Sequence, residues 1–79
     1  MNLLPHQRRV VDEKTELDKK ASDLAWFIGH NLMFKTLDED EQNRLLLQCE
    51  VMWEYSEILR ARIAAFKPVK VFGEGMLRP

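Results

Sequence analysis

Between Pro5 and Pro68 the chain contains a single helix-breaking residue, Gly29. A proline inside a helix costs about 3 kcal/mol and a glycine about 1 kcal/mol, so these positions decide where long helices can run. Pro5 suits the first helical position, where its missing N–H would have had no partner. From His6 to Ile28 apolar side chains recur at Val10, Leu17, Ala21, Leu24 and Ile28, which is one helical face. Gly29 is then expected to adopt the left-handed conformation that ends a helix. Residues 30–37 read as a connection, His30 as a loop or C-cap residue, and Leu32, Met33 and Phe34 as the plug of the closed end.

The second helix is predicted over about residues 38–66, ended by Lys67-Pro68. Asp38 with Glu41, or Thr36 with Glu39, can supply a capping box. The acidic run Asp38-Glu39-Asp40-Glu41 suits the electropositive start of a helix. A core seam follows at Leu45, Cys49, Met52, Ser56, Leu59, Ile63 and Phe66, alternating steps of four and three, as in a coiled coil with an antiparallel partner. Ser56 should hydrogen-bond a backbone carbonyl or face its counterpart across an interface.

The fold class is therefore all-α: an antiparallel two-helix hairpin, about 6–28 and 38–66, with a C-terminal arm. Residues 1–66 form the hairpin domain, and 67–79 an arm on a neighbouring subunit or a flexible tail. A second stripe of the same helix, Leu47, Val51, Tyr55, Ile58 and Ala65, is also largely apolar, with Trp53 and Leu46 on the opposite flank. One partner helix cannot cover both, which predicts a homo-oligomer using Val51, Trp53, Tyr55 and Ile58, with Phe72 from the arm.

Chains below about 80 residues seldom stabilise themselves by more than about 3–5 kcal/mol without a disulfide, a metal or a partner. The one cysteine, Cys49, allows no intrachain disulfide and no cysteine metal cluster. Its place on the seam makes it a small core hydrophobe. No apolar run approaches the roughly 18 residues that span a bilayer, and no secretion signal is evident, so a cytoplasmic location is expected. No phosphate loop, nucleophile elbow or metal-spaced histidine pair occurs, and neither an enzyme nor a cofactor is expected.

Charge is unevenly distributed. Residues 1–9 and 58–79 hold seven basic residues against Glu74, a net +6, while residues 10–57 hold five basic and twelve acidic residues, a net −7. An antiparallel hairpin joins the two basic segments at one pole. The helix dipole accounts for Arg60, Arg62 and Lys67, but not for Arg8 and Arg9 at an electropositive helix start. There, arginines beside free N–H groups form an anion site, and His6 lies at the same end. The candidate ligand-binding residues are thus His6, Arg8, Arg9, Arg60, Arg62 and Lys67. A near-neutral whole and an acidic middle argue against nucleic acid as a partner.

The opening His6-Gln7-Arg8-Arg9-Val10, then Glu13 and Glu16-Leu17, followed by Met52, Tyr55-Ser56, Ile58-Leu59, Arg62-Ile63 and Phe66, resembles a widespread family of small phage and prophage accessory proteins. Its pattern is HQ-RV--E--EL followed by M--YS-IL--RI--F, and the resemblance covers about residues 4–66. That resemblance implies an accessory role and carries over no functional residue. In size and two-helix layout the chain is also similar to the phage anti-CBASS proteins that sequester cyclic nucleotides between subunits. Arg8 and Arg9 stand where that family has a tyrosine and a lysine. The expected function is a sponge for a cyclic nucleotide; the alternative is an inhibitor or adaptor that binds a host defence protein.

Overall fold

The computed structural model describes residues 3–66, which form three helices: α1 (Pro5–His30), α2 (Met33–Thr36) and α3 (Glu39–Ala64). Helices α1 and α3 pack against each other along their lengths. The pairing is antiparallel, since Lys14 and Asp18 meet Ser56 while Ala21, further along α1, meets Cys49, earlier in α3. At 26 residues each, the long helices extend about 39 Å. The expected arm, 67–79, lies outside the described residues.

Pro5 opens α1 as its residue type dictates. The Leu4 N–H donates to Gln7 Oε1 at 2.9 Å, so the amide side chain of Gln7 caps the helix start from a buried position. At the other end, α1 runs through Gly29 instead of stopping there. No described residue has a positive φ, so Gly29 is an ordinary helical residue and not a left-handed cap. Asn31 ends the helix in extended conformation. Its N–H reaches the Phe27 carbonyl at 3.1 Å, and its Oδ1 accepts from the Met33 N–H at 2.8 Å. A side chain able to bond the backbone two residues on thus makes the turn. His30 is the last residue of α1, stacked on Trp26 with ring centroids 5.0 Å apart.

Of the three residues expected to plug the closed end, only Phe34 does so. It is buried, with its ring edge-on to Phe27 at 6.1 Å. Leu32 and Met33 point outward, Leu32 79% exposed. The one-turn helix α2 accounts for Met33, since on 3.6 residues per turn only one side chain of so short a helix can face the hairpin; Leu32 precedes it as the N-cap.

Asp38 caps α3, its Oδ1 accepting from the Glu41 N–H at 2.8 Å, while the Thr36 hydroxyl turns back to the Met33 carbonyl at 2.7 Å. This settles the choice of N-cap for Asp38. Gln42 Nε2 donates to the Leu37 carbonyl at 2.9 Å and ties the connection to the helix. The helix ends at Ala64, two residues short of the expected boundary.

The seam predicted for α3 is the seam observed. Leu59 and Ser56 are buried, and Leu45, Cys49, Met52, Ile63 and Phe66 are partly covered. Val10, Leu17 and Leu59 form the centre of the core, with Met52, Ile63 and Phe66 against them.

Candidate functional site

Antiparallel packing sets the start of α1 beside the end of α3, since Val10 shares a cluster with Ile63 and Phe66. His6, Arg8 and Arg9 therefore occupy the same end of the hairpin as Arg60 and Arg62, and all five are exposed. Lys67 lies outside the described residues. Successive helical residues are about 100° apart, so Arg8 lies roughly opposite the α3-packed face of α1 marked by Gln7, Val10 and Leu17, and Arg9 lies on a flank. Arg60 and Arg62 fall on opposite sides of the α3 seam. The five groups form an electropositive end, not a converged pocket. Arg60 is also engaged by Glu57, with Nε and Nη2 each 3.0 Å from Oε1.

A polar cluster at mid-hairpin does converge. The Ser56 hydroxyl donates to Asp18 Oδ1 across the interface, and Lys14 Nζ donates to Asp18 Oδ2 at 2.7 Å and to Ser56 Oγ at 3.0 Å. Ser56 was expected to meet a backbone carbonyl or its own counterpart; instead it joins α3 to a lysine–aspartate pair on α1. The Lys14 hydrogen bond first, and the Ser56 bond second, hold the Asp18 carboxyl below its ordinary range. Cys49 is partly buried, its Sγ 3.9 Å from the Ala21 carbonyl oxygen.

Periodicity alone did not reveal the cluster, because Lys14 and Asp18 read as one more surface pair four residues apart. The available signal was a lone hydroxyl on an otherwise apolar seam. Gln7 was likewise missed; its burial follows from its place one turn before Val10 on the packed face.

On α3 the residues singled out for an interface divide between two faces. Leu47, Val51, Tyr55 and Ile58 line one stripe and are 41–59% exposed. Trp53, also exposed, lies on a different side of the helix, the side that carries Leu46 two turns earlier. Phe72 is outside the described residues. A further exposed group, Trp26, Leu32 and Met33, lies at the closed end of the hairpin. No helix among the described residues is long and apolar enough to cross a membrane.

Neither a curated protein nor a solved structure matches the chain. A family model described as Sequestin matches residues 4–65, from the N-cap of α1 to just past the last residue of α3. The match spans both packed helices and nearly all of the described chain, and the protein belongs to the Sequestin family.

Proposed function

We propose that this protein is a non-enzymatic sponge, a phage accessory protein that binds an anionic cyclic nucleotide in the host cytosol and withdraws it from a defence pathway. The observation that carries the reading is the electropositive end at which the start of α1 meets the end of α3. Membership of a family whose name denotes sequestering supports it. Sequestration needs no bond to be made or broken; it needs a binder present in excess of the signal. Arginine suits the task, since its planar guanidinium grips phosphate oxygens in pairs and keeps its charge at any physiological pH. Arg8 and Arg9 project beside the first turn of α1, where backbone N–H groups lack intrahelical partners and the dipole is positive. His6, Arg60 and Arg62 add to the field at that end. The working unit is a homo-oligomer, supported by the apolar stripe that α1 leaves uncovered.

Arg8→Glu together with Arg9→Glu tests the site. The account expects loss of nucleotide binding with helix content unchanged by circular dichroism, because both side chains are exposed. Full binding by the double variant would remove these arginines from the site.

A second reading has support of its own. Trp53, Tyr55 and Ile58 are exposed residues of the kind that anchor protein interfaces, and in this reading they hold a host defence protein directly. Co-purification of one stoichiometric host protein, lost on Trp53→Ala, would favour it over the sponge.

A further inference from the structure

The uncovered stripe of α3 carries a charge pattern that selects what can lie on it. Leu47, Val51, Tyr55 and Ile58 are separated by four, four and three residues, the spacing of one helical face. Arg44 extends the stripe three residues before Leu47, and Arg62 extends it four residues after Ile58. We propose that this stripe packs on the same stripe of a second copy, the two α3 helices antiparallel about a two-fold axis between Val51 and Tyr55. Two hairpins then form a four-helix bundle. The inference deepens the oligomeric part of the proposed function and rests on it, but it makes no use of the ligand.

A two-fold interface must be complementary to itself, and this stripe is. An antiparallel copy sets Val51 opposite Tyr55 and Leu47 opposite Ile58, so apolar groups meet apolar groups throughout the centre.

Charge chooses the direction. In a parallel pair the acidic turns Asp38-Glu39-Asp40-Glu41 would lie side by side, and so would the two Arg62 side chains. The antiparallel pair brings the acidic start of one α3 beside the arginine-bearing end of the other and opposes their dipoles favourably. Arg62 then comes opposite Arg44, which is already paired with Glu41 at 2.8 Å, and the acid that shares the stripe's face there is Asp40, four residues before Arg44.

Arg8 lies on the side of α1 turned from α3 and stays clear of the interface.

The test uses ligand-free full-length protein in a Cys49→Ser background. Light scattering should give twice the 9.4 kDa chain mass, and Val51→Glu with Ile58→Glu should return it to the single-chain mass with helix content retained. Leu47→Cys and Ile58→Cys variants then read the direction. Mixed under oxidising conditions they should form a disulfide-linked dimer, whereas each alone should not. In the antiparallel pair each residue is about 11 positions, or roughly 16 Å, from its own counterpart, beyond the 4.4–6.8 Å that a disulfide spans between Cα atoms. A monomer, or an oligomer indifferent to the two glutamates, would overturn the interface. Cross-linking of each variant with itself would overturn the antiparallel arrangement. None of these outcomes depends on nucleotide binding, so the interface and the sponge can fail independently.

Discussion

The Ser56 hydroxyl on α3 donates to the Asp18 carboxylate on α1, in the middle of a largely apolar interface. This bond and its Lys14 neighbour make one alignment of the hairpin better than its alternatives. Apolar side chains at steps of three and four are satisfied by several registers, whereas a buried hydroxyl and a carboxylate meet in only one.

Ser56→Ala should therefore cost stability although it removes a single atom from a buried site. A hydrogen bond of this kind contributes about 1–2 kcal/mol, which for a domain of this size lowers the melting temperature by about 4–8 °C per kcal/mol. Thermal melts followed by circular dichroism measure it directly. An unchanged melting temperature would mean that water replaces the hydroxyl at no cost.

Acid should erase the contribution of Asp18. Its carboxyl titrates below the ordinary aspartate value, held down by Lys14 and then Ser56. A folded-state pKa below the unfolded one contributes stability above the unfolded value, and that contribution disappears as pH falls through the folded value. Urea titrations between pH 7 and pH 2 should show wild type above Asp18→Asn at neutral pH, with the gap closing below about pH 4. A gap that persisted at pH 2 would assign the effect to packing.

Gly29→Ala should stabilise the protein by about 0.5–1 kcal/mol. Gly29 is helical, its φ is negative, and nothing lies within 4 Å of the position that a Cβ would occupy. The same substitution at a left-handed cap would destabilise, so the sign of the change in melting temperature decides between the two conformations.

Leu59→Ala should be the most damaging truncation. Leu59 is fully buried at the centre of the core, and such a change costs about 2–5 kcal/mol. That is comparable to the whole stability of a small single-core domain. Loss of the cooperative thermal transition is the expected result, whereas Leu46→Ala, at an exposed position, should leave the transition in place.

The two long helices and the α3 seam were legible because they rest on local rules: the positions of the helix breakers and a regular apolar period. The end of α1 was misread because Gly29 tolerates both a helix interior and a left-handed cap, and the sequence could not show that Asn31 would make the turn. Leu32 and Met33 were misplaced for a related reason: three consecutive apolar residues look like a plug until the turn into a one-turn helix leaves two of them at the surface. Of the candidate site, the gathering of charge at one end followed from antiparallel topology. The directions of the arginines depended on helical phase, which sets Arg60 and Arg62 on opposite sides of the seam although only one residue separates them.

The most direct measurement is a thermal-shift titration of the purified protein at low salt against cyclic mono-, di- and trinucleotides. A ligand at about a thousand times its dissociation constant adds roughly 4 kcal/mol, or about 15–30 °C for a chain of this size. The account predicts a shift of that order with one nucleotide class, abolished by the Arg8→Glu and Arg9→Glu pair. A flat response across the panel would contradict the sponge and reduce the electropositive end to helix-terminus charge placement.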